Sequence, residues 1–212
     1  MEKPQEKKLC DEDCKNLEKM CNAAGVAGKS AARPYLKSSV WSHVLSRLPW
    51  LIFLLFAAMA CGLLVAVYEN SFLKLPLLVT FIPLIMAIAG AGGSQTSTVI
   101  IRSMTTGEIT TRQYARAFMK ESLISLFCGA VLGFCMFGYV VAVYKNLTLG
   151  MVLWLGLIAT VIFAKLLGMA LPIVAKRIKI DPALIASPLV TIIADIFGIF
   201  VFFTLAQVLL GL

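Results

Sequence analysis

SPLVTIIADIFGIFVFFTLAQVLL, residues 187–210, is an apolar run long enough to cross a bilayer as one helix, and it carries a single acid, Asp195. A carboxylate that deep in an apolar helix costs roughly 2.5–3.5 kcal/mol to insert, so it needs a partner or a water-filled cavity. Thr191, Asp195 and Gly198 fall at i, i+4 and i+7, on one helix face, with Ala194 beside the acid. That face reads as the lining of a pathway rather than as a lipid-facing surface. The alternative is a protonated acid hydrogen-bonded between helices.

The composition around this run agrees with a membrane domain. Of 212 residues, 60% are hydrophobic, against about 45–50% in a soluble domain, and the mean hydropathy is +0.91. The net charge of +8 is no sign of nucleic acid, because most of it lies in an N-terminal tail and two short loops, where it sets topology. Four further spans precede the last one, at about residues 49–67, 75–101, 111–144 and 149–174, the third beginning in the charged stretch 111–121 before it enters the membrane. The fold class that follows is an all-α polytopic membrane protein with five transmembrane helices. Lys and Arg concentrate in the tail, the second loop and the fourth loop, which places the N-terminus in the cytoplasm and the C-terminus outside.

Residues 1–47 form a polar tail with nine Lys/Arg and six Asp/Glu, and residues 48–212 form the membrane domain. The apolar run at Leu48 has no small-residue cleavage site, so it is no signal peptide. KKLCDEDCKNLEKMC could form a short helix that puts Cys10, Cys14 and Cys21 on one face. With His43 as the sole histidine these read as free thiols rather than as a zinc site. Cys61, Cys128 and Cys135 fall inside predicted helices as small apolar fillers.

The second span contains Pro83 and then GAGGSQTST, residues 90–98. Pro removes a backbone hydrogen bond and Gly permits close approach, so the sequence predicts an interrupted helix whose carbonyls and hydroxyls line a pathway. A continuous small-residue packing face is the other reading, compatible with the first. Gly129 and Gly133 in the third helix make a GxxxG pair of the close-packing kind. In the fourth loop, Asp181-Pro182 marks a turn and Ser187 is placed as an N-cap. Lys165 lies mid-helix in the fourth span, too deep for its stem of about 6 Å to reach the surface. Asp195 reads as the only acid at its depth, so the two are expected to pair, directly or through water, within one subunit or across two; the alternative is that Lys165 faces a separate aqueous crevice.

FIPLIMAIAGAGGSQTSTVIIRSM, then FMKES, then LPIVAKRIKIDPALIASPLVTIIADIFG, resemble the membrane domain of MgtE-type magnesium transporters from about residue 48 onward. The resemblance implies five helices per subunit, a homodimer with the pore at the subunit interface, and Mg²⁺ as the transported ion with no cofactor. It implies a multi-pass protein of the cell (inner) membrane. By the same resemblance Asp195 is the central cation-binding carboxylate, and Gly90 and Gly93 border the ion with their backbone. Glu121 is an acid near the cytoplasmic end of the pore, and Asp181 the aspartate at its mouth. Ser94 and Thr191 would add hydroxyl oxygens. Three departures stand out. Ala91 and Ser94 replace the usual asparagines, Lys165 adds a charge, and residues 1–47 stand in place of the N-terminal helical domain and CBS pair.

Independent of family, Mg²⁺ sheds water reluctantly, so a pathway should offer one carboxylate and several oxygens to a largely hydrated ion. An enzyme is disfavoured, because the serine of GGSQ would need a base, and only His43, outside the spans, or Lys165 could serve. The remaining alternatives are a membrane anchor or adaptor working through its charged tail, and a transporter of another divalent cation.

Overall fold

The computed structural model describes residues 39–109, 113–178 and 182–211, all of whose regular structure is helical. The predicted tail helix with Cys10, Cys14 and Cys21, and Asp181 in the fourth loop, lie outside the described residues. Six α-helices follow in order: α1 Val40–Val67, α2 Glu69–Lys74, α3 Ile82–Thr105, α4 Tyr114–Tyr144, α5 Leu147–Arg177 and α6 Pro182–Leu210. A 3₁₀ helix, Pro76–Phe81, leads into α3. Five segments are long and apolar enough to cross a membrane. With no water available to backbone groups in hydrocarbon, continuous helix is what these sequences have to form.

The second span corrects one expectation. Residues 82–105 are a single α-helix, with no interruption at 90–98. Pro83 sits at the first turn of α3, where its missing N–H costs nothing. The change of helix type falls just before it, at Phe81–Ile82. Gly lowers helix stability by about 1 kcal/mol relative to Ala in water, but unpaired backbone in a bilayer costs more, so the glycine run stays helical.

A second correction concerns Ser187. The last helix starts at Pro182, so Ser187 lies inside it and is no N-cap. Proline at the first helical position favours that earlier start, and Pro188 is accommodated within the helix. The cap that does form is Asn146, whose Oδ1 accepts from the backbone N–H of Leu149 at 3.0 Å and opens α5. Lys145 before it takes a left-handed φ of 50° and closes α4.

The GxxxG pair packs as expected. A Cβ added at Gly129 would lie 3.0 Å from the Cα of Ile158, and one at Gly133 2.8 Å from the carbonyl oxygen of Trp154. α4 therefore lies backbone to backbone on α5. The apolar core sits toward the end of the domain that holds the α4–α5 turn and includes Leu78, Ile85, Leu153, Leu157, Phe202 and Phe203. There the corner between α1 and α2 is fastened to α6: Tyr68 stacks on Phe203 at 4.9 Å, and Gln207 Nε2 donates to Ser71 Oγ at 3.3 Å.

Candidate cation site

Small residues bring α3, α5 and α6 together. Ala89, Ala164 and Ala194 are fully buried against one another. A Cβ at Gly168 of α5 would fall on the carbonyl oxygen of Gly93, and a Cβ at Gly93 would fall on the side chain of Val190 and lie 2.9 Å from the Ala164 carbonyl oxygen. A Cβ at Gly90 would stand 2.9 Å from Thr191 Cγ2. Gly90 and Gly93 are thus the positions at which α6 and α5 meet the backbone of α3. Their first role in this fold is close approach.

That approach sets the level of the acid. Ser94 Oγ and Thr191 Oγ1 are 3.5 Å apart across the α3–α6 contact. One turn farther along α6 comes Asp195, only 7% exposed. Farther still, a Cβ at Gly198 would lie 2.9 Å from Thr160 Cγ2 and 3.0 Å from Ile85 Cγ2. Asp195 therefore lies between the Gly90–Thr191 level and the Ile85–Gly198 level, inside the bundle. Its Oδ1 is buried without a hydrogen-bond partner. So is the hydroxyl of Thr160 on α5, a residue that sequence reading did not single out. The signal was a hydroxyl midway along an apolar span, but nothing in the sequence told which way it faced.

Lys165 corrects a third expectation. It pairs with Glu121 rather than Asp195: Nζ lies 3.4 Å from Glu121 Oε1, with both side chains largely buried. The same oxygen accepts the Thr96 hydroxyl at 2.7 Å. Helix rise explains the pairing. Glu121 stands about 10 Å from the start of α4 and Lys165 about 18 Å from the end of α5. The difference is close to what a lysine stem of about 6 Å and a glutamate side chain span together. The expectation failed because it put Glu121 near the cytoplasmic end of the pore, away from the level of Lys165.

Of the residues singled out from sequence, Asp195, Thr191, Ser94, Gly90 and Gly93 thus lie on consecutive turns of one helix contact. Glu121 lies apart with Lys165 and Thr96. Among the described residues no three His, Cys, Asp or Glu side chains come together. One carboxylate with hydroxyls near it cannot replace the whole shell of a hard cation, but it can hold an ion that keeps its waters.

Residues 82–205 match the family MgtE, divalent cation transporter. The chain is 31% identical over 166 residues to the magnesium transporter MgtE of Thermus thermophilus, covering 78% of this chain and 37% of that protein. It is likewise 31% identical to the magnesium transporter MgtE of Bacillus subtilis over 160 residues, 76% of this chain and 36% of that one. The chain spans a little over a third of the length of these relatives.

Proposed function

This chain belongs to the MgtE divalent cation transporter family, and from that membership we propose that it passes divalent cations, Mg²⁺ first, through a homodimer with Asp195 as the central carboxylate. The observation that carries the reading is Asp195 itself, a buried acid with an oxygen that no protein group satisfies. An unpaired buried charge is costly and is retained where an ion or water completes it. Thr191 and Ser94 offer hydroxyls one and two turns away. The carbonyl of Gly90, although inside a helix, keeps a second lone pair for a water or an ion, whereas that of Gly93 is packed against the backbone of Gly168 on α5. Asp181, outside the described residues, enters this reading only by family resemblance, as the acid at the pore's mouth.

The outer face of α3 supports a second copy of the chain. Ala91, Gln95 and Thr98 follow at i, i+4 and i+7, and all are exposed. Gln95 lies about 15 Å from the end of α3, a depth at which a polar amide is poorly placed in lipid. Small and hydroxyl residues on the same stripe suit close helix contact. We read the loop charges as favouring a cytoplasmic N-terminus, and from the family membership we take the membrane to be the cell membrane, the inner one where a cell has two.

Reconstitution tests this reading. Purified protein in liposomes loaded with a Mg²⁺-sensitive dye is expected to admit Mg²⁺ down its gradient at rates well above empty liposomes. Reconstituted protein that leaves the dye signal at the empty-liposome level would return the reading to an anchor or adaptor. Independently, light scattering in detergent is expected to give twice the 23.0 kDa chain mass. A monomer mass with uptake intact would remove the interface pore.

A further inference from the structure

We propose that the Lys165 ammonium is a tethered cation filling a cation-binding position made by Glu121 and Thr96, and that it thereby keeps divalent ions from stopping there. The inference goes beyond the pathway at Asp195, which neither Lys165 nor Glu121 touches. Glu121 Oε1 takes hydrogen bonds from Lys165 on α5 at 3.4 Å and from Thr96 on α3 at 2.7 Å, so three helices meet at one oxygen. Side-chain exposure is 10% for Lys165 and 15% for Glu121. At that burial an ionised carboxylate needs a positive partner and an ammonium needs a negative one. Each is the other's partner, and neither makes a further ion pair among the described residues.

The seat resembles an ion site more than a locked bridge. A tight charge-assisted bond between ammonium and carboxylate is about 2.7–2.9 Å long, and here it is 3.4 Å. Only one of the three ammonium donors is used, and Glu121 Oε2 takes no hydrogen bond. A carboxylate with an adjacent hydroxyl is a hard oxygen pair of the kind that holds Mg²⁺ or Mn²⁺ with its remaining waters. The lysine stem runs along α3 on its way to this pair: an added Cβ at Gly92 would lie 4.0 Å from Lys165 Cγ, at ordinary contact distance. The intramembrane acids are thereby divided: Glu121 takes the protein's own cation, and Asp195 is left for a mobile one.

Counting bound Mn²⁺ by electron paramagnetic resonance on the full chain in detergent tests this. Lys165→Met keeps the stem and removes the charge. It is expected to bind one more Mn²⁺ per chain than wild type, and Lys165→Met with Glu121→Gln should return to the wild-type count. Lys165→Arg, which keeps the charge, should gain none. If Lys165→Met fails to fold, Glu121→Gln alone still decides, because with Lys165 in place it is expected to leave the count unchanged. No extra ion in folded Lys165→Met, or loss of one in Glu121→Gln, overturns the proposal. These are differences between variants, readable whether or not Asp195 itself binds an ion or supports flux.

Discussion

Asp195→Asn is expected to lower Mg²⁺ uptake into proteoliposomes by at least about thirtyfold while leaving the fold as stable as wild type or more so. The first half follows from charge. A divalent ion held through water about 4.5 Å from a carboxylate gains roughly 7 kcal/mol at an effective dielectric of about 20. Solvent and protein dipoles screen much of that. A residue of about 2 kcal/mol still corresponds to about thirtyfold in occupancy. Asn keeps the volume and loses the charge. The second half follows from burial: Asp195 is 7% exposed and its Oδ1 has no partner, so the ionised form is a cost to folding that Asn relieves. A residue kept for packing would show the reverse, with a lower melting temperature and normal uptake. Asp195→Glu separates charge from geometry and should retain more flux than Asn. Wild-type uptake by a folded Asp195→Asn protein would remove Asp195 from the pathway.

The readings that came through intact rest on one property each. Span count is a matter of length and hydropathy, and the five runs seen in the sequence are the five segments long enough to cross. Thr191, Asp195 and Gly198 share a face by helix period, and the bundle turns that face inward: Asp195 and Gly198 are buried and Thr191 is half-buried. The GxxxG pair meets α5 because a small-residue ridge has few other uses in lipid. What failed depended on neighbours. Gly90–Thr98 looked like a break because glycine and proline break helices in water, whereas in hydrocarbon the backbone has no other donor or acceptor to turn to. Pro182 rather than Ser187 starts α6 because an N1 proline outcompetes a later cap. Lys165 was assigned the wrong acid because depth along one helix says nothing of which helices are adjacent. α4 lies on α5, which puts Glu121 within reach. Thr160 was missed for the same reason.

Gly168→Ala is expected to be the most destabilising single methyl in the domain, since helix packing leaves it nowhere to go. Its Cβ would fall on the carbonyl oxygen of Gly93, a backbone atom, so no rotamer change relieves the clash and α3 and α5 have to separate. Overpacking of this kind costs about 1–3 kcal/mol where side chains can yield, and the upper end applies where backbone is the obstacle. For a chain of this size each kcal/mol lowers the melting temperature by roughly 2–4 °C, so a drop of about 6–12 °C is expected. The damage should also reach the cation site. Gly93 is the residue before Ser94, which faces Thr191 at 3.5 Å, and a shift of α3 away from α5 moves it relative to α6. Uptake should therefore fall even at temperatures where the protein stays folded. The matched control is Gly138→Ala on α4, where an added Cβ meets nothing within 4 Å. There the better helix propensity of Ala is worth about 0.4–1 kcal/mol, so stability should hold or rise slightly, with uptake unchanged. If Gly168→Ala melts and transports like Gly138→Ala, then α3 and α5 do not touch at backbone distance, and the level at which Asp195 sits loses its support.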